Sequence, residues 1–179
     1  MAIGDDSRFA QFAATVLVHL DAAYSLSHWL LIDRAAAEDA VQEACLKALR
    51  AFESRTGPSA KAWFMAIVRN ACLDALRSRR RRAVEDEFDE GIHSAAGDSV
   101  PTPEALALRA SDARWIRAQI ARLPVEFREV VVLRELEEMS YREISVVVKV
   151  PVGTVMSRLA RGRDLLATRI RAESKRSRG

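Results

Sequence analysis

The sequence predicts an all-α protein with two small helical domains, an N-terminal helical bundle and a C-terminal helix-turn-helix, joined by a flexible linker. Its 179 residues include only 7 Gly and 5 Pro, and Ala, Leu, Arg and Glu dominate. Those four are helix formers. Apolar residues recur at helical spacing along most of the chain and lose that period only between Ala83 and Pro103. The domains are predicted at 1–83 and 104–179, with an acidic linker at 84–103.

Three helices are predicted in the N-terminal domain, at about 7–32, 37–52 and 60–80. The second has one apolar stripe, formed by Val41, Ala44, Cys45, Ala48, Leu49 and Phe52. Its other face carries Asp39, Gln42, Glu43, Lys47 and Arg50. The Gly57-Pro58 pair predicts a loop before the third helix.

The acidic linker has a composition that does not support a packed core, with Gly, Ser and two prolines after five acidic residues. Helix is expected again from about Glu104 to Arg122. Pro124 suits the first turn of the next helix, where a missing N–H costs nothing. Two short helices separated by a tight turn follow, and the second is predicted to begin near Val152. The chain ends in a basic tail.

Charge is uneven along the chain, although the net charge is only +3 and the isoelectric point about 9.2. A basic cluster at Arg77 and Arg79–Arg82 precedes the acidic cluster Glu85–Glu90. This pattern suits a polyanion that touches two separate places. Solvated helix ends explain it equally well.

The sequence contains no residue pattern that indicates a catalytic or metal centre. His19, His28 and His93 are dispersed, and no phosphate loop, metal-spaced cluster or nucleophile–base pair occurs. Cys45 and Cys72 lie in apolar helical patterns, which favours buried thiols over a disulfide or a zinc site. We therefore predict no catalytic residue, no metal and no cofactor. Without an apolar run of membrane-spanning length or a signal peptide, a reducing cytoplasm is expected.

The predicted helix from Val152 to Leu166 has the pattern of a helix that lies in a DNA groove. Its apolar stripe faces the preceding helix, at Ile144, Val147 and Val148, and Gly162 lets that neighbour approach closely. The opposite face mixes small residues with arginine. This face comprises Thr154, Met156, Ser157, Ala160, Arg161 and Asp164.

Each of those side chains suits a contact with duplex DNA. Arg161 can bind a guanine edge with two hydrogen bonds, and Met156 and Ala160 can touch thymine methyls. Thr154 and Ser157 can bond a base or a phosphate. Arg158 and Arg163 lie at the flanks and fit phosphate contacts, which the helix N-terminus also favours. The alternative is a helical hairpin inside an ordinary bundle.

These motifs resemble those of a known family, the bacterial extracytoplasmic-function sigma factors of the sigma-70 class. The C-terminal motif runs from Leu123-Pro124 through Ser140-Tyr141-Arg142-Glu143-Ile144 to Val152-Gly153-Thr154-Val155 and Arg161-Gly162-Arg163. The N-terminal motif includes Ala37–Ala44 and Ala62-Trp63-Phe64 through Arg77. The two motifs together cover nearly the whole chain in the order typical of the family.

The resemblance implies a non-catalytic promoter-recognition subunit of RNA polymerase. Asp39, Gln42 and Glu43 would contact the core enzyme. The loop from Phe52 and the following helix would bind the melted downstream promoter element. Its implied ligands are Phe52, Arg55, Lys61, Trp63, Arg69, Asn70 and Arg77. The cations would hold the strand, Asn70 would pair with a base, and Phe52 or Trp63 would stack, although Trp63 suits the core equally.

The C-terminal helix would read the upstream element as duplex. Met156 and Ala160 differ from the residues that many relatives carry there, so the bases read are left open. The acidic residues Glu85–Glu90 would cross the polymerase between the domains. An anti-sigma factor is a further implied partner.

Two other functions compete with this interpretation. A stand-alone helix-turn-helix regulator explains the C-terminal half and leaves Asp39–Glu43 and Trp63–Arg77 without a task. An enzyme lacks any catalytic set.

Overall fold

The computed structural model of the protein describes residues 3–57, 59–86 and 114–176. Every regular element within these ranges is helical, and the predicted all-α class is confirmed. The N-terminal half contains α1 (Ile3–Thr15), a three-residue 3₁₀ turn (Leu17–His19), α2 (Leu20–Leu31), α3 (Arg34–Ala51) and α4 (Ala60–Asp86). The C-terminal half contains α5 (114–121), α6 (Val125–Val131), a π-helical turn (Val132–Leu136), α7 (Tyr141–Val148) and α8 (Val152–Arg176).

The single helix predicted at 7–32 is wrong, because α1 and α2 are separate helices. The chain tightens into the 3₁₀ turn directly after Val16, which is fully buried. Helical periodicity continues through the turn, so the apolar pattern by itself did not reveal it. The tighter turn lets α2 pack against both α3 and α4.

Side-chain caps set the starts of α3 and α4. Asp33 accepts a hydrogen bond from the Ala36 N–H at 3.0 Å, so α3 begins three residues before the predicted start. Ser59 accepts a bond from the Ala62 N–H at 3.1 Å, and α4 starts where predicted. Residues 84–86 belong to α4 and not to a linker. The rest of the predicted linker, 87–103, and the predicted helical residues 104–113 lie outside the described residues.

The C-terminal half departs from the prediction at two points before α8. Pro124 is the N-cap of α6, one position before the predicted first turn, because its ψ of 143° is extended. The π-helical turn after α6 left no signal in the sequence.

At α7 a capping box forms: the Ser140 hydroxyl accepts from the Glu143 N–H at 3.3 Å, and the Glu143 carboxylate accepts from the Ser140 N–H at 3.0 Å.

The predicted apolar stripe of α8 packs inward. Val155, Leu159 and Gly162 are buried, and so are Ile144, Val147 and Val148 on α7. The prediction that Gly162 faces α7 is wrong. A Cβ built there would lie 2.8 Å from Val131 Cγ2 and 3.5 Å from Phe127 Cβ, both on α6. The close neighbour is α6, because α8 packs against α6 as well as against α7.

The two halves pack against each other through α2 with α6 and α4 with α7. Buried apolar side chains from both halves form one cluster. The predicted domain boundaries at 1–83 and 104–179 stay predictions.

We predict that Gly162→Ala lowers the thermal midpoint of unfolding. A Cβ at 2.8 Å from the stiff, buried Val131 forces a shift that costs about 1–3 kcal/mol, more than the 0.5–1 kcal/mol or so that Ala gains over Gly within a helix. Gly153→Ala is the matched control on the same helix, since nothing lies within 4 Å of its added Cβ. Calorimetry of both variants checks this; equal or higher midpoints for Gly162→Ala would contradict it.

Candidate nucleic-acid and polymerase interface

The predicted polymerase-contacting residues share one exposed face of α3. Asp39, Gln42 and Glu43 are all exposed, and Glu43 forms an ion pair with Lys47 at 2.6 Å. Leu46 lies on the same face with 57% of its surface exposed. Leu46 was not among the residues predicted from the sequence, although an apolar residue outside the buried stripe was a usable signal. An apolar side chain surrounded by polar ones is a common composition for a protein-binding surface.

The residues predicted to bind the melted strand are divided among several places. Phe52 and Arg55 line a cleft of about 420 Å³ together with Ser7, Arg8 and Gln11. The Phe52 ring meets Phe12 edge-on with centroids 5.5 Å apart, and the Arg55 guanidinium lies 6.0 Å from the Phe52 ring. The contribution of α1 was not predictable, because only tertiary packing brings it over this loop.

Arg69, Asn70 and Arg77 line a second cleft of about 650 Å³ on α4. Lys47 of α3 and Lys149 of the turn before α8 also border it, so cations from both halves of the chain meet there. Arg77 is tied to Asp74 at 2.9 Å. The cleft combines positive charge with the amide of Asn70, which has both a donor and an acceptor for a base edge.

Lys61 and Trp63 lie outside both clefts. The Lys61 ammonium donates to the Glu137 carbonyl at 2.7 Å, in the C-terminal half. Trp63 is half-buried and packs against the core, in agreement with the second of the two interpretations offered for it. Phe52 is likewise half-buried and packs against the core, but it lines the first cleft, whereas Trp63 lines neither.

Arg69 makes the strongest polar contact between the halves. Its Nε and Nη2 donate to Glu129 at 2.6 and 3.0 Å. The Glu129 side chain is only 1% exposed and also accepts from Arg158 Nη1 of α8 at 3.4 Å. One buried carboxylate thus holds an arginine from each of the two predicted DNA-binding surfaces.

Further hydrogen bonds between described residues join the halves. In addition to Lys61, Ser59 donates to the Glu143 carboxylate at 2.9 Å, and Arg128 Nη1 donates to the Trp29 carbonyl at 3.1 Å. Arg128 Nε is buried without a partner among the described residues, and burial lowers the pKa of this guanidinium. A buried unpaired donor costs about 1–3 kcal/mol, so this junction contains an unfavourable contribution as well as favourable ones.

The outward face of α8 presents the predicted duplex-reading residues. Met156 is 53% exposed, Ser157, Ala160 and Arg161 are exposed, and Thr154 is half-buried. The Ser157 hydroxyl donates to the Thr154 carbonyl at 3.0 Å, which leaves its oxygen free to accept.

The arginines of this helix differ in their contacts. Arg163 Nε donates to Glu135 at 2.9 Å, and this hydrogen bond raises the Arg163 pKa above its usual value. Arg158 contacts Glu129. Of Arg158, Arg161 and Arg163, only Arg161 makes no contact with a carboxylate in the part of the chain that the structure describes. Its exposed guanidinium is therefore not held by a carboxylate of the described chain.

Groups that would support other chemistry are not assembled within the described ranges. No cluster of three or more metal-ligating side chains occurs among the described residues. Both cysteines are free; burial raises the pKa of the Cys72 thiol to about 11, so this group is un-ionised at neutral pH. None of the described helices combines the length and apolarity that crossing a membrane requires.

Comparison with known families and proteins gives two matched segments. Residues 15–82 match Sigma-70 region 2, and residues 113–166 match Sigma-70, region 4. The RNA polymerase sigma-H factor of Pseudomonas aeruginosa is 37% identical over 142 residues, which are 75% of this chain and 72% of that protein. The ECF RNA polymerase sigma factor SigE of Mycolicibacterium smegmatis is 32% identical over 165 residues, 92% of this chain; the chain spans 63% of that relative's length.

Solved structures resemble the whole arrangement. The sigma factor RpoE of Bartonella quintana, solved in complex with the anti-sigma factor NepR, matches with a TM-score of 0.71 and 26% identity over 91% of this chain and 96% of that one. CnrH, solved with the cytosolic domain of CnrY, shares the fold with a TM-score of 0.63 and 22% identity over 92% of this chain and 88% of that one.

We predict that Glu143→Gln destabilises the protein in a pH-dependent way. Hydrogen bonds from Ser140, mainly from its backbone N–H, lower the Glu143 pKa below its ordinary 4.5 in the folded state. A lowered folded-state pKa adds stability above the unfolded-state value, and that stability is lost as the pH falls through the folded-state value. The difference in unfolding free energy between wild type and Glu143→Gln should therefore be largest near pH 7 and shrink below pH 4.5.

Denaturant titrations across that range, with Glu135→Gln as a control on the same half of the chain, measure this difference. A constant difference at all pH values would show that Glu143 acts by shape and not by charge.

Proposed function

Because this chain belongs to the extracytoplasmic-function sigma factors of the sigma-70 family, we propose that it is the promoter-recognition subunit of a bacterial RNA polymerase. In this role it catalyses no reaction itself. The observation that carries the proposal is that a family-matched N-terminal half and a family-matched C-terminal half each present an exposed face suited to a different partner. A stand-alone DNA-binding regulator would need only the second face.

The exposed face of α3 is proposed to bind core polymerase. Asp39, Gln42 and Glu43 supply polar and acidic contacts, and Leu46 adds a small apolar centre. A mainly polar surface of this kind favours specific association that can later be released. Such release is what a subunit needed only for initiation requires.

The two clefts near α4 are proposed to bind the melted downstream element. Phe52 offers a stacking surface with Arg55 beside it, and Asn70 with Arg77 offers a base contact beside a cation. Single-stranded nucleic acid is held by this combination of aromatic stacking and positive charge. Lys61 donates to the Glu137 carbonyl, and Arg69, although it borders the second cleft, donates to Glu129, so both cations are engaged with the C-terminal half until the halves separate.

The outward face of α8 is proposed to read the upstream element in the major groove. Arg161 contacts a guanine edge, Met156 and Ala160 contact thymine methyls, and Thr154 and Ser157 contact bases or phosphates. Arg158 and Arg163 bind the backbone once they exchange their carboxylate partners for phosphates. A role on chromosomal DNA is consistent with a proposed location in the cytoplasm.

An anti-sigma factor is a further proposed partner. The 26% identical Bartonella quintana RpoE was solved with such a protein, and this chain shares its arrangement over 91% of its length.

Transcription with purified components tests the proposal. The chain, mixed with core polymerase and genomic fragments, should co-elute with the enzyme and direct initiation at discrete start sites. A chain that stays separate from core polymerase while it binds duplex DNA tightly would be a stand-alone regulator.

We predict that replacing Asp39, Gln42 and Glu43 together by alanine sharply reduces co-elution with core polymerase. All three side chains are exposed, so helix content by circular dichroism should not change. Asp21→Ala combined with Glu126→Ala is the control, because it removes two exposed acidic side chains elsewhere. Equal losses in both variants would point to net charge and not to this face.

We predict that Arg161→Ala weakens binding to the upstream element by about 1–3 kcal/mol and relaxes specificity at one base pair, because a bidentate contact with guanine is lost. Competition transcription with single-base promoter variants measures the effect. Arg171→Ala, an exposed residue farther along α8, is the control. A uniform loss on all upstream sequences would identify Arg161 as a phosphate contact.

A further inference from the structure

Glu129 occupies an unusual position at the junction of the two halves. It is a carboxylate with 1% of its surface exposed, and it accepts two hydrogen bonds from Arg69 of α4. Its second partner, Arg158, belongs to the same half as Glu129 and is more distant, at 3.4 Å. The shorter, two-pronged contact is therefore the one that crosses between the halves.

A carboxylate removed from water is stable only if cations and hydrogen bonds replace its hydration. Arg69 provides this replacement with two nearly parallel N–H donors, the arrangement in which arginine binds a carboxylate most strongly. The Arg69 side chain is itself only 14% exposed. It borders the second cleft, but its Nε and Nη2 donors are already occupied by Glu129.

We propose that Glu129 is an intramolecular latch, which holds the two halves of the free chain closed through Arg69 and withholds that arginine from nucleic acid until the halves separate. The closure itself does not depend on the proposed function, but its consequence for DNA rests on the assignment of Arg69 to the strand-binding surface.

The local geometry also allows the latch to open. When the halves separate, Glu129 keeps Arg158 as a partner, so its charge is not left uncompensated. The other hydrogen bonds across the junction each involve a backbone carbonyl or a serine hydroxyl, which water replaces readily. Opening also rehydrates Arg128 Nε, which is buried without a partner in the closed form.

Small-angle X-ray scattering of the full chain, without polymerase or DNA, tests the closure. A compact chain of this length has a radius of gyration of about 16 Å. The wild-type chain should lie near that value, and Glu129→Gln and Arg69→Ala should each raise it. Glu135→Gln is the matched control. Glu135 forms another Arg–Glu ion pair, with Arg163, and both of these residues belong to the C-terminal half.

Each scattering outcome either supports or overturns the Glu129 latch. Expansion in Glu129→Gln or Arg69→Ala, with Glu135→Gln compact and helix content unchanged, supports the latch. If Glu129→Gln loses helix content, Arg69→Ala decides alone, since it alters the other half of the chain. A wild-type chain that is already expanded, variants that all stay compact, or equal expansion in Glu135→Gln would overturn the latch, whatever the transcription assay returns.

The masking of Arg69 has its own readout with a single-stranded oligonucleotide as the probe. Glu129→Gln should bind it more tightly than wild type, and the slope of log affinity against log salt should steepen by about 0.7 for the one arginine released. The gain should disappear in the double variant Arg69→Ala/Glu129→Gln. A gain that persists in the double variant would show that Glu129 acts by general repulsion and not through Arg69.

Discussion

The arrangement of the molecule depends on one buried carboxylate. Glu129 lies almost out of contact with water and is stabilised by Arg69 from one half of the chain and Arg158 from the other. A charge buried in this way is costly unless it is paired, and its shorter, two-pronged contact comes from Arg69, so the position of α4 relative to α6 and α8 is tied to this contact. The same contact decides which predicted DNA-binding cations face a ligand and which are occupied.

Its effect on the candidate surfaces is unequal. The outward face of α3 and the outward face of α8 remain exposed, because neither takes part in the junction between the halves. Lys61 and Arg69 are used within the protein instead. The surface proposed for duplex DNA is therefore accessible in the closed form, whereas the surface proposed for the melted strand is only partly available. A strand is melted only after the polymerase has engaged the promoter, so late availability is consistent with the proposed role.

Local sequence rules accounted for most of the helical architecture. Helical spacing of apolar residues is a short-range property, and it identified α3, the start of α4 and the buried stripe of α8. It did not reveal the 3₁₀ turn after Val16 or the π-helical turn after α6, because both occur within a continuing apolar pattern. It also assigned Gly162 to the wrong neighbour, since spacing tells which face of a helix is buried but not which element covers it.

For the site, the sequence by itself determined the chemical character of each surface: a polar, acidic face on α3, cations with an amide along α4, and small residues with Arg161 on α8. Residue type and helical period are sufficient for that. Only the tertiary structure decided that Phe52 and Asn70 belong to different clefts, that α1 borders one of them, and that Arg69 and Arg158 share Glu129. The two Glu129 contacts join residues 60 and 29 positions apart, and contacts at such separations are fixed by how helices pack and not by the local pattern.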